Sequence, residues 1–181
     1  MLSTVFAAVA GACLWETGRA AGWVRVACLL GAAAGIQLRL LCNLLDGMVA
    51  VEGGKGSKSG ELWNDVPDRI SDLLILVPVG YALGTLPMAR ELGWLAGILA
   101  VLTAYVRLLG GALGLKQNFG GLLSKPRRMA VMTAACVLAC FEPLLHWHGV
   151  VMYAALMVVA AGGALTFVMR LRRIAHELEA R

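Results

Sequence analysis

Charge is scarce in this chain. Only 15% of its 181 residues are Asp, Glu, Lys or Arg, where a soluble domain carries about 25%. Hydrophobic residues make up 60%, and the mean hydropathy is +0.78. That leaves almost nothing for a water-facing domain, so an ordinary soluble protein is excluded. An integral membrane protein is expected, with residues 1–181 forming one domain. Cysteine gives no metal or disulfide framework. Cys13, Cys28, Cys42, Cys136 and Cys140 lie in apolar stretches without zinc-type spacing, and they read as small buried hydrophobes. Histidine is equally sparse. His146 and His148 flank Trp147 in a short HWHG joint, which reads as an interfacial turn with an aromatic anchor. The loop GGKGSKSG lacks the Walker order, because Gly56 follows Lys55. No internal repeat is visible, which argues against a carrier built from related halves.

What the chain does have is long apolar runs. A spanning helix needs about 20 mostly apolar residues. Six candidates stand at 2–16, 22–50, 61–86, 92–114, 129–147 and 149–170, separated by joints of Gly, Pro or charge. The expected fold is therefore an all-α bundle of six membrane helices. The first run is short. It reads as a span rather than a signal peptide, because it has no basic leader and no small-residue cleavage pattern before Glu16. Small residues four apart, as in Gly80/Gly84, Gly93/Gly97 and Gly110/Gly114, suit close helix packing.

The net charge of +5 is explained by topology rather than by nucleic-acid binding. With six spans, both termini and the loops 51–60 and 115–128 share one side. That side holds Lys55, Lys58, Lys116, Lys125, Arg127, Arg128, Arg170, Arg172, Arg173 and Arg181, against Arg19, Arg25 and Arg90 opposite. Positive residues accumulate on the cytoplasmic side, so the membrane is expected to be the bacterial inner one with this end facing the cytoplasm.

The few acids are concentrated. Six of the eleven Asp and Glu residues fall between Asp46 and Asp72, in NLLDGMVAVEGGKGSKSGELWNDVPDRISD. Carboxylates at the mouth of a membrane helix pair are costly and mark a site by default. Asn43 and Asp46 share a face near the end of the second span. Asn64, Asp68 and Asp72 share one at the start of the third, and Asp65, Asp68 and Asp72 form an alternative. Carboxylate and amide oxygens suit a hard cation, Mg²⁺ or Mn²⁺, which usually binds with substrate phosphates. A phosphorylated substrate is the expected second component.

The spacing of this segment resembles the signature of the CDP-alcohol phosphatidyltransferase family, D-x-x-D-G-x-x-A-R followed by G-x-x-x-D-x-x-x-D. The chain offers Asn43, Asp46, Gly47 and Ala50, then Gly60, Asn64 and Asp68. The resemblance implies a six-helix membrane enzyme of a kind that often forms homodimers. Such an enzyme displaces CMP from a CDP-linked lipid donor with an alcohol acceptor, in phospholipid synthesis. It further implies metal positions at Asn43, Asp46, Asn64 and Asp68, with Asp68 as the base and Gly47, Ala50 and Gly60 near the nucleotide. The sequence departs from the pattern at Asn43 and Asn64, where the family has Asp, and at Val51, where it has Arg. An Asn oxygen can ligate but neutralises nothing, so one firmly held metal is expected. Asp65 or Asp72 can restore charge, and Lys55 or Lys58 can meet the donor phosphates.

Other polar residues group around this reading. Lys125, Arg127 and Arg128 are expected at the acceptor or its phosphate. Arg39, one turn before Asn43, and Arg69 are expected to support the site, whereas Arg107 reads as a snorkelling arginine. Glu142 is a lone acid deep in the fifth run, facing a polar cavity or a dimer interface. The tail RLRRIAHELEAR reads as a solvated helical extension. A catalytically silent membrane partner and a small ion-coupled transporter are the competing readings.

Overall fold

The structure is a computed structural model that describes residues 2–52, 60–115 and 120–180. Its six helices are α1 (Leu2–Glu16), α2 (Gly22–Glu52), α3 (Gly60–Ala82), α4 (Ala89–Ala112), α5 (Lys125–Ala139) and α6 (Val150–Glu179). Three of them have a stretch long and apolar enough to cross a membrane by themselves: Gly22–Asp46, Ala89–Ala112 and Val150–Glu179. In α3 the acids of the first turns lower the hydropathy, while α1 and α5 are only 15 residues each.

Close packing joins α1 to α2 and α3, α3 to α4, α4 to α6, α6 to α5 and α5 to α2, which closes a ring. Small buried side chains line the contacts, among them Ala7, Ala10, Ala32, Ala96, Ala100, Ala135, Ala155 and Ala160. Lipid tails offer no hydrophobic drive between helices, so such close backbone approach supplies the packing energy. One contact shows how. Pro78 lies inside α3 and has no N–H to give the carbonyl of Leu74, one turn earlier. Gly11 of α1 fits against that carbonyl, where an added Cβ would stand 2.0 Å from the Leu74 oxygen.

The fifth helix departs from the expected span. The expected stretch 129–147 gives way to a helix that starts at Lys125 and stops at Ala139, followed by a 3-10 turn at Glu142–Leu145. Pro126 explains the start: proline suits a first helical turn, and the Ser124 carbonyl accepts the Arg128 N–H at 2.9 Å. Lys125 and Arg128 are thereby fixed in a helical turn rather than carried on a loop. The sixth helix takes in most of the polar tail, running to Glu179.

Glu142 has a defined place at the other end of the bundle. Its side chain is fully buried and pairs with Arg25 of α2 at 2.5 Å. It also accepts the backbone N–H groups of Gly149 at 3.0 Å and Val151 at 2.8 Å, which caps the start of α6. Burial pushes this carboxyl up. The Arg25 guanidinium and the two N–H groups outweigh burial and hold it below the ordinary carboxylate value.

Candidate functional site

The acidic segment comes together at one end of the ring, where side chains join α2 to α3. The Asn43 side-chain amide donates to Asp68 Oδ1 at 2.7 Å. This contact links the two halves of the sequence pattern across 25 residues. Asp46, one turn further along α2, is exposed, as is Asn64 on α3. Pro67, between Asp65 and Asp68, lacks the N–H that would reach the Trp63 carbonyl.

Asp65, Asp68 and Asp72 each face cations. Asp65 meets Arg107 of α4 at 2.7 Å and Arg69 at 3.6 Å. Asp68 carries the Lys125 ammonium on Oδ2, with Arg69 at 3.8 Å and Arg39 at 3.5 Å. Asp72 is completely buried, with Arg39 on one oxygen and Arg128 on the other, both at 2.7 Å. Arg39 is itself fully buried and also donates to the Asp68 carbonyl at 3.2 Å. Burying a charge is tolerable only with partners of this quality, and the pairs tie α2, α3 and α5 together beneath the site.

A cavity of about 370 Å³ opens beside these pairs. Its polar walls include Asn64, Asp65, Asp68, Arg69, Arg107, Ser124, Lys125, Arg128 and Arg170. The loop that ends at Ser124 and leads into Lys125 is fastened to α6. Thr166 accepts the Leu123 N–H at 3.0 Å, and Arg170 donates to the Gly120 carbonyl at 3.0 Å. Arg170 also reaches the Thr103 carbonyl of α4 at 2.5 Å. Cations outnumber carboxylates around the cavity, so it suits an anion.

Several expectations change on this geometry. Asp72, expected among the metal oxygens, has both oxygens held by arginines and lies beneath the cavity rather than in it. Arg127, expected at the acceptor, points out and donates to the carbonyls of Gly121 and Leu122 at 3.3 Å each. Arg107 does not simply snorkel, since it pairs with Asp65. Arg170, expected only among the charges of the cytoplasmic side, lines the cavity. Arg107 carries a sequence signal, a lone arginine deep in an apolar stretch, whereas Arg170 is one of the run Arg170, Arg172 and Arg173 and is not set apart from it. Gly47, Ala50 and Gly60 lie in the helices that flank the loop, whereas Lys55 and Lys58 fall outside the described residues.

Among the described residues, no three His, Cys, Asp or Glu side chains converge as a metal cluster. The hard oxygen donors at the site are mixed: the carboxylates of Asp46 and Asp68 and the amide oxygens of Asn43 and Asn64. By donor chemistry this set fits one Mg²⁺ or Mn²⁺ completed by phosphate oxygens, since Mg²⁺ commonly uses only one or two protein carboxylates.

No family model matches the chain, and no curated protein matches its sequence. Solved structures do match its fold. The phosphatidylinositol phosphate synthase (PgsA1) of Mycobacterium tuberculosis, in complex with manganese and citrate, superposes with a TM-score of 0.77 at 20% identity. That match covers 96% of this chain and 78% of the synthase. The same enzyme with CDP-DAG bound gives a TM-score of 0.76 at 22% identity, covering 96% and 82%. Its apo form gives 0.75 at 21%, covering 94% and 84%. The fold of the chain is thus that of a CDP-alcohol phosphotransferase, an all-helical membrane bundle.

Proposed function

We propose that this integral membrane protein is a CDP-alcohol phosphatidyltransferase of phospholipid synthesis, with its site at the cytoplasmic face of the inner membrane. The observation that carries the reading is the Asn43–Asp68 contact. It joins the two spaced halves of the segment at one point, on a fold shared with a synthase solved with CDP-DAG. The donor is a CDP-linked lipid such as CDP-diacylglycerol. By the sequence pattern, Gly47, Ala50 and Gly60 are the nucleotide positions.

In the reaction, the acceptor hydroxyl oxygen attacks the lipid-bearing phosphorus of the donor. The new P–O bond forms as the bond to CMP breaks, and Asp68 takes the hydroxyl proton. Asp46, Asp68 and the amide oxygens of Asn43 and Asn64 would hold a Mg²⁺ or Mn²⁺, which would neutralise charge on the leaving CMP. The cation-rich cavity selects the acceptor. Arg69, Arg107, Lys125, Arg128 and Arg170 favour an alcohol that itself carries a phosphate, because guanidinium groups bind phosphate through paired donors. This supports a phosphorylated polyol over serine. Arg39 and Asp72 hold the site from below.

The test is CMP release by protein purified in detergent with lipid, given CDP-diacylglycerol, Mg²⁺ or Mn²⁺ and a pool of alcohols with and without phosphate. Metal-dependent release is expected only with phosphorylated alcohols, and Asp46→Asn should abolish it while leaving the fold intact. Full activity of Asp46→Asn would overturn the metal role. Binding of CDP-lipid without turnover on any acceptor would instead favour the silent-partner reading, which the two Asn positions also support.

A further inference from the structure

We infer that Lys125 is a gate on Asp68, opened when the anionic group of the acceptor enters the cavity. The inference rests on the transferase reading and concerns how its base is released. Both oxygens of Asp68 are engaged. Oδ1 accepts the Asn43 amide and lies near Arg39, while Oδ2 carries the Lys125 ammonium and lies near Arg69. The Lys125 ammonium on Oδ2 stands where an acceptor hydroxyl or a cation would have to approach.

Its partners differ in their freedom to leave. Arg39 is fully buried and anchored to Asp72 at 2.7 Å, and Asn43 is carried on a long helix. Lys125 stands at the first residue of α5, on a flexible four-carbon stem, and its side chain is 22% exposed. It also lines the cavity shared with Arg69, Arg107, Arg128 and Arg170. An anion there draws the ammonium off Asp68 without moving a helix, and the acceptor hydroxyl arrives with it. Asp68 is then released only when an acceptor is present, which protects the donor from attack by water. Withdrawal of the ammonium also removes a positive charge from beside the oxygen donors of the cation, so anion and cation binding reinforce one another, and by linkage the coupling is reciprocal.

The experiment measures Mn²⁺ affinity of the purified full chain by electron paramagnetic resonance, with sodium sulfate as the anion probe against sodium chloride at equal ionic strength. Sulfate is expected to tighten Mn²⁺ binding by about fivefold or more, the usual lower range of coupling between sites. Lys125→Met should bind Mn²⁺ more tightly than the native protein without sulfate, by a similar factor, and should lose the response to sulfate. Arg127→Met removes the same charge from a side chain that points away from the cavity, and it should behave as the native protein. Asp46→Asn should abolish the signal in every background.

Unchanged or weakened Mn²⁺ binding in sulfate would overturn the gate, as would an equal gain in Arg127→Met, with the transferase reading intact. A folded native protein that binds no Mn²⁺ under any condition would overturn the transferase reading and the gate with it. The sulfate comparison on the native chain decides the matter even if Lys125→Met fails to fold.

Discussion

Both carboxyl oxygens of Asp72 face guanidinium groups, Arg39 on one side and Arg128 on the other, each at 2.7 Å. Removing one partner of such a buried set leaves uncompensated charge and costs about 3–5 kcal/mol. Asp72→Asn should therefore unfold at a clearly lower SDS fraction in mixed micelles, whereas Asp46→Asn, at an exposed position, should keep the native midpoint. Equal midpoints for Asp72→Asn and the native chain would mean that the buried network does not hold the helices. Glu142 makes a second prediction, in pH. Its carboxyl is held below its ordinary value by Arg25 and the start of α6, so the unfolded chain takes up the proton first. Its contribution to stability is complete above the unfolded value and disappears as pH falls through the folded one. Glu142→Gln should lower stability at neutral pH and flatten the acid side of the stability curve. An acid side identical to that of the native protein would sink this account.

At the scale of the element, α3 and α5 show what a sequence pattern conveys and what it omits. The acidic faces of α3 follow from helical spacing alone, and Asn43 with Asp68 was legible from the motif. The cations opposite them were not, because Arg107 and Arg170 come from helices distant in sequence and only ring closure brings them to Asp65 and the cavity. The end of α5 was also illegible. The apolar run continues through Leu144 and Leu145, but the chain turns at Glu142, whose carboxylate is needed by the next helix. Close packing of α1 on α3 gives a test at this scale. A side chain at Gly11 would collide with the Leu74 carbonyl, which belongs to backbone and cannot swing aside. Gly11→Val should force α1 away at a cost of about 1–3 kcal/mol or more. The expected readout is a lowered midpoint of thermal aggregation in detergent. A midpoint at or above the native value would show that α1 is not seated as described.

The whole molecule has two unlike ends, and the difference follows from where a short chain places its few polar residues. One end gathers Asp46, Asn64, Asp65, Asp68 and the arginines of the cavity. The other carries the Arg25–Glu142 pair and most of the Trp and Tyr residues, including Trp15, Trp23, Trp94, Trp147 and Tyr81. Trp15 stacks on Tyr81 with ring centres 5.0 Å apart, which binds the α1 and α3 ends where aromatic residues favour the membrane interface. Six helices closing a ring put both termini at the acidic end, as the distribution of Lys and Arg in the sequence led one to expect. The orientation in the membrane is a prediction that the function depends on, because CDP-linked donors and phosphorylated acceptors are supplied from the cytoplasm. With the five native cysteines replaced by Ala, Arg19→Cys and Arg127→Cys place single thiols at exposed positions on opposite ends. A membrane-impermeant maleimide should label Arg19→Cys in intact cells, and Arg127→Cys only after the membrane is opened. The reverse pattern would turn the acidic end outward, away from any supply of nucleotide, and a transferase fed by CDP-lipid could not work in that orientation.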